Sequence, residues 1–177
     1  MVGAELQVGI IEREMHGIPA KTRIVMYGRS SARVGGGREE MTAPLGFDVE
    51  IVPVGLAAEP KPGDLLTVRV LYKGRPIGGK DVLVTAATAG SFPPPADPRV
   101  QASAWSLEAM ADPQTGEATF PLIVGGRHSF LVRYVDETPG TYEGERNDSS
   151  EFSHLRKGDK YERTMYVSTL TVQVKGN

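Results

Sequence analysis

Hydrophobic residues recur at every second position over much of the chain. Across residues 64–73, Leu66, Val68, Val70 and Tyr72 alternate with Thr67, Arg69 and Lys73, a period of two that turns one face of a strand toward a core. The pattern returns at Val82, Val84 and Ala86, at Ala118, Phe120 and Leu122, at Phe130, Val132 and Tyr134, and at Tyr166, Leu170, Val172 and Val174. Val49 and Ile51 predict a further strand ahead of Pro53. Residues 101–110 fit a strand with Trp105, Leu107 and Ala109 on one face; their Ala, Leu and Met content also suits a short helix, and the strand is the preferred reading.

Between these runs stand turn sequences: Lys61-Pro62-Gly63-Asp64, Gly74-Arg75-Pro76, Asp112-Pro113-Gln114-Thr115-Gly116 and Gly125-Gly126. Each places a residue tolerant of positive φ, most of them beside a proline of fixed φ, between two strands. Short strands punctuated this way predict an all-β protein: an antiparallel sandwich of about seven strands, immunoglobulin-like or transthyretin-like, since a lone sheet would leave one apolar face in water. Residues 27–177 form the predicted sandwich domain. Residues 1–26 alternate at Leu6, Val8 and Ile10 and again near Ile24 and Met26, around a polar stretch at His16, Gly17 and Pro19, and are read as an amino-terminal extension or added strands.

Two segments interrupt the pattern. Residues 89–99 carry Pro93, Pro94, Pro95 and Pro98, which stiffen the chain and bar it from a central strand. Residues 137–162 are long, polar and charged, and a loop of that length in a compact domain is usually functional or disordered. A site is expected there first.

Composition narrows the chemistry. The chain of 177 residues has no cysteine, which removes disulfides, thiolate metal sites and cysteine nucleophiles, and three histidines. Its net charge is −2, with both signs interspersed, so neither nucleic acid nor an anionic membrane surface is an expected partner. No stretch approaches the roughly 20 apolar residues of a membrane-spanning helix, and no direct membrane insertion is expected. A basic segment followed by an apolar run does not open the chain, which leaves a cytoplasmic protein or an exported one whose leader has been removed.

The individual motifs are weak. Gly74-Arg75-Pro76-Ile77-Gly78-Gly79-Lys80 matches the start of a phosphate-binding loop, but Asp81 stands where a hydroxyl is required, and the β pattern of residues 82–86 replaces the helix. Gly35-Gly36-Gly37 between Arg33 and Arg38 reads as a connector before an anion cradle. Ser30 and Ser31 lack the second glycine of a nucleophile elbow. His128 has core parity and reads as a hydrogen-bonded interior imidazole. His154 differs: it lies near Glu143, Glu145, Asp148 and Glu151, and imidazole with carboxylates suits nickel, cobalt or zinc. The candidate metal residues are His154, Glu151 and Asp148, set against the plainer reading of a solvated charged loop. Nothing points to a named reaction, and no catalytic residue and no resident cofactor are expected.

An ordered series of segments resembles a family. Tyr27-Gly28-Arg29-Ser30-Ser31-Ala32-Arg33-Val34, then Pro44-Leu45-Gly46-Phe47-Asp48-Val49-Glu50-Ile51-Val52-Pro53, then Lys61-Pro62-Gly63-Asp64 leading into Val68-Arg69-Val70-Leu71-Tyr72-Lys73-Gly74-Arg75-Pro76-Ile77, resemble uncharacterised exported bacterial proteins often described as a periplasmic component of nickel or cobalt uptake. Asp112-Pro113-Gln114-Thr115-Gly116-Glu117-Ala118-Thr119-Phe120 and the closing strand at residues 168–174 continue the likeness. The resemblance implies a carboxypeptidase-regulatory or transthyretin-like sandwich, export to the periplasm, and a binding or accessory role with a transition metal and a membrane transporter as partners. The alternative is a structural or adhesive immunoglobulin-like module that contacts another protein and takes no small ligand. Strand order, oligomeric state and ligand identity do not follow from the sequence.

Overall fold

A computed structural model describes residues 2–30, 42–55, 57, 59–89, 106–150 and 153–176, of which 89, 106, 147–150, 153 and 154 are described by their backbone. Fourteen strands run through them: β1 (Val2–Ile11), β2 (Thr22–Ser30), β3 (Val49–Val54), β4 (Leu65–Tyr72), β5 (Arg75–Pro76), β6 (Leu83–Ala89), β7 (Ser106–Met110), β8 (Glu117–Pro121), β9 (Gly126–Asp136), β10 (Gly140–Thr141), β11 (Asn147–Ser150), β12 (Ser153–Leu155), β13 (Lys160–Tyr161) and β14 (Arg163–Val174). The large sheet has the order β11-β12-β1-β2-β14-β9-β6-β7. In the small sheet β4 pairs with β3 on one edge and with both β5 and β8 on the other. β10 and β13 form a separate two-stranded ladder.

The all-β sandwich expected from the sequence is present. Seven strands of five residues or more, β3, β4, β6, β7, β8, β9 and β14, follow residue 26 among the described residues, and β1 and β2 precede them in the large sheet. Inward parity explains why they hold. On β14, Thr164, Tyr166, Ser168, Leu170, Val172 and Val174 are all buried, and Tyr166, Leu170, Val172 and Val174 share one hydrophobic core with Leu66, Val68, Val70, Ala118 and Phe120 of the small sheet. Phe120 and Phe130 meet in that core, ring centroids 5.4 Å apart. Each fully buried aliphatic or aromatic side chain there contributes about 1.5–3 kcal/mol. β2 spans position 26 and supplies Val25 and Tyr27 to the same core.

Turn chemistry sets the local register. Lys73 (φ 49°) and Gly74 (φ 76°) link β4 to β5 in the paired left-handed geometry that matches strand twist. His16 (φ 51°) and Gly17 (φ 75°) do the same inside the β1–β2 connection, closed by Met15 and Ile18. The run that imitates a phosphate-binding loop is this β4–β5 turn and its exit toward β6, and a strand follows it.

Two features depart from the sequence reading. β14 runs parallel to β2, while the other strand pairs are antiparallel. Parallel neighbours need a crossover, and here residues 31–162 lie between the two strands, so no local pattern announces it. Secondly, residues 137–162 are not a plain loop: they contain β10 to β13, and β12 joins the large sheet with His154 opposite Ile10 and Ser153 opposite Ile11. Leu155, Ile10 and Ile11 are buried there, which anchors a segment that is otherwise polar. The proline-rich residues 90–99, the glycine run 35–37 with Arg33 and Arg38, Ser31 and Trp105 lie outside the described residues.

Candidate functional site

One end of the sandwich differs chemically from the rest. Along the inner face of the large sheet apolar side chains predominate where β14 meets β9, as in Leu170 beside Phe130, with Arg29 completing that rung on β2. Toward the ends of β2, β14 and β9 the rungs become Val25–Tyr166–Tyr134 and then Arg23–Thr164–Asp136. The small sheet ends at the same level, with Tyr72 closing β4 and Asp48 preceding β3.

Aromatic rings fill the space where the sheets part. Tyr27 stacks on Phe47 at 4.7 Å and on Tyr166 at 6.2 Å, interplanar angles 15° and 12°. Tyr72 meets Tyr134 at 4.7 Å and Tyr166 at 5.9 Å. Along β2 from Tyr27, the Arg23 guanidinium lies over the rings of Tyr142 at 5.6 Å and Tyr161 at 5.5 Å, while its Nη2 donates to Gln7 Oε1 at 2.9 Å. All six tyrosines of the chain therefore gather at this end. Tyr27 and Tyr166 are buried at 5% and 4% exposure, and Tyr72, Tyr134, Tyr142 and Tyr161 are half-buried.

Carboxylates hold the phenols in place. Tyr166 donates to Asp48 Oδ2 at 3.2 Å, and Tyr72 donates to Asp136 Oδ2. Lys73 donates its backbone N–H to the Asp48 carbonyl at 2.7 Å and lays its ammonium over the Tyr72 ring at 4.8 Å. Burial, reinforced by the negative charge of Asp48, pushes the Tyr27 phenol up to about 12. Burial raises Tyr166 as well, again with Asp48, and burial and the bond to Asp136 raise Tyr72. Burial would raise the Asp136 carboxyl, but hydrogen bonds from Thr138 and Tyr72 and the charge of Lys73 hold it below the usual carboxylate range. At neutral pH this end thus presents uncharged phenols, an ionised acceptor at Asp136, and ring faces that carry cations.

A family model described as Domain of unknown function (DUF4198) matches residues 11–136. The chain belongs to that family. The DUF4198 match runs from the last residue of β1 through the last residue of β9, so it takes in Arg23, Tyr27, Asp48, Tyr72, Lys73, Tyr134 and Asp136. Tyr142, Tyr161 and Tyr166 lie beyond it. No curated protein and no solved structure matches the chain.

Of the residues singled out for a metal in this DUF4198 chain, His154 stands by backbone register on the rung that runs through Ile10, Arg23 and Thr164 to Asp136, at the same end of the large sheet. Glu151 lies outside the described residues, and Asp148 and His154 are backbone positions on β11 and β12. Among the described residues no group of three His, Cys, Asp or Glu side chains is placed to hold a metal ion. His128 is an interior imidazole: Nε2 lies 2.8 Å from the Val124 carbonyl and Nδ1 3.4 Å from Thr88 Oγ1. The sequence pattern gives Tyr72, Tyr134 and Tyr166 inward parity without marking the tyrosine end as a site. The available signal was that three inward tyrosines sit near strand ends and one of them has an aspartate close by, Asp136 two residues after Tyr134.

Proposed function

We propose that this chain is a non-catalytic binding module of an exported, periplasmic protein, and that it takes a cationic ligand at the tyrosine end of the sandwich. The observation that carries the reading is that three tyrosine faces already bear the chain's own cations, Lys73 on Tyr72 and Arg23 on Tyr142 and Tyr161. Glu5, which with Asp48 acts on Tyr27, joins Asp48 and Asp136 in the negative field at this end, and neutral tyrosine rings are the faces cations prefer. The titration behaviour favours binding over catalysis. A general acid or base is tuned toward neutral pH, whereas Tyr27, Tyr72 and Asp136 are all shifted away from it.

The finer reading, that the cation is nickel, cobalt or zinc handed to a membrane transporter, is supported by the sequence resemblance and by the acidic segment that holds Asp148, Glu151 and His154. Export rests on the same resemblance. Titration calorimetry with the chlorides of Ni²⁺, Co²⁺, Zn²⁺ and tetramethylammonium tests both levels. Saturable heat that is lost in Asp136→Asn and Asp48→Asn supports the tyrosine end. Saturable metal heat that survives those changes and is lost in His154→Ala moves the site to the acidic segment. No heat with any of the four removes the cationic ligand.

A second reading, a structural or adhesive module that contacts another protein, is favoured by the outer face of the large sheet, where apolar side chains stand in water.

A further inference from the structure

The two outer faces of the sandwich are unlike. On the small sheet, cross-strand polar pairs occupy most of the surface between β4 and β8: Thr67 and Thr119 share a hydrogen bond at 2.8 Å, Arg69 is ion-paired to Glu117, and the one apolar pair is Leu65, 71% exposed, opposite Pro121 at the strand end. On the large sheet one rung reads Leu6–Met26–Val167–Arg133 across β1, β2, β14 and β9, and the pair Leu83–Met110 continues apolar on β6 and β7. Leu6 is 54% exposed, Met26 39%, Leu83 40% and Met110 65%, while Val167 in the middle of the rung is buried, with 7% exposed. Beside this stripe a depression of about 620 Å³ opens between Leu83, Leu131, Lys80, Asp81, Glu108 and Arg133. An antiparallel sheet with a solvated face normally alternates to polar residues there, so a largely apolar outer rung marks a surface that is covered in use.

We propose that a second copy of this chain covers it, with two large sheets packed face to face about a twofold axis. The charge pattern selects this occupant. The depression carries two cations, Lys80 and Arg133, and two carboxylates, Asp81 and Glu108. A twofold interface places the same patch against itself, and a patch with equal numbers of each sign can satisfy every charge in that arrangement. A partner of one dominant sign, such as nucleic acid or an acidic peptide, would meet two like charges instead. Strands about 4.8 Å apart and rungs about 6.8 Å apart give six strands and three rungs a flat area of about 600 Å² per copy. That lies below the roughly 800 Å² per partner of a standard interface, so the dimer is weak and reversible.

Sedimentation of the full chain from about 5 to about 500 μM, spanning the weak end of interface affinities, tests the proposal. The mass is expected to rise from one chain toward two across that range, and added salt is expected to shift the rise to higher concentration. Met110→Glu and Glu108→Lys, both on exposed or half-exposed side chains of β7, are each expected to weaken association about tenfold or more. Far-ultraviolet circular dichroism unchanged from the parent shows that the variants fold. A chain that stays monomeric over the whole range overturns the proposal. So does a dimer that neither variant weakens, because it would place the interface elsewhere, as at the open edge of β7.

Discussion

Arg29 and Glu50 face each other inside the sandwich, guanidinium to carboxylate at 3.3 Å, with 3% of either side chain exposed. The pair orders the turn that leads into β3. Glu50 also accepts the backbone N–H groups of Leu45, Gly46 and Phe47 at 2.8, 2.7 and 2.8 Å, and Arg29 donates to the Ala43 carbonyl at 2.6 Å. Since Phe47 stacks on Tyr27 and Asp48 receives Tyr166, this buried pair positions one wall of the tyrosine end.

Removing either partner leaves a buried charge uncompensated, which costs about 3–5 kcal/mol. Arg29→Ala and Glu50→Gln are each expected to lower the urea unfolding midpoint accordingly. Replacing both by apolar residues of similar volume is expected to cost less than the sum of the two, because no lone charge remains. Additive losses in the double-mutant cycle would show that the two side chains act independently.

The strands were legible because burial repeats locally. Leu66, Val68 and Val70 on β4, or Leu170, Val172 and Val174 on β14, announce their inner face without knowledge of any neighbour. The site was not legible, because it is made by strand order. Tyr72, Tyr134 and Tyr166 each read as the last or first apolar position of a strand, and only the β2-β14-β9 order and the position of β4 across from it bring them together. Arg29 and Glu50 were hidden for the same reason, as charged residues beside apolar ones, with nothing in the spacing to pair them. The expected metal residues attracted notice by composition alone, and composition does not specify distance.

Asp136 makes stability depend on acid. Its carboxyl is held below the ordinary value by Thr138, Tyr72 and Lys73 against the opposing effect of burial, so the folded state favours the ionised form. That contribution is present above the ordinary aspartate value of about 4 and is lost as pH falls below it through the lower folded value. Asp136→Asn is expected to flatten the fall of the urea midpoint in this window, and Tyr72→Phe to flatten it in part. A parent and an Asp136→Asn variant with parallel pH profiles below about pH 4 would remove Asp136 from the acid response.

The alkaline limb has the opposite sign. Tyr27, pushed up to about 12, and Tyr166, raised further by burial beside Asp48, keep their protons longer in the folded chain than in the unfolded one. The stability they contribute is complete below about pH 10, the ordinary tyrosine value, and is lost as pH rises through their folded values. A spectrophotometric titration of the tyrosinate band is expected to show these two rings ionising only together with unfolding. Asp48→Asn keeps an oxygen that can accept from Tyr166 but removes the negative charge that helps both phenols hold their protons, so it is expected to bring their ionisation to lower pH. Six tyrosines that titrate together with no change in ellipticity would contradict the buried placement.

Gly116 and Gly55 separate two costs of adding a methyl group. Both have a left-handed backbone, φ 69° and 68°, a conformation that costs a non-glycine residue about 1–2 kcal/mol. They differ in surroundings. A Cβ on Gly116 would lie 2.8 Å from the Val70 carbonyl and 3.0 Å from that of Ile77, whereas one on Gly55 meets nothing within 4 Å. The Gly116 carbonyl also accepts the Val70 N–H at 2.8 Å, and its N–H donates to Asp112 at 2.8 Å, so the turn between β7 and β8 has no room to move aside. Gly55→Ala is expected to carry the backbone cost alone. Gly116→Ala is expected to carry it with the displacement of β4 backbone added, for a total above about 3 kcal/mol. Equal losses for the two variants in urea melts would mean that the approach of Gly116 to β4 is looser than its hydrogen bonds imply.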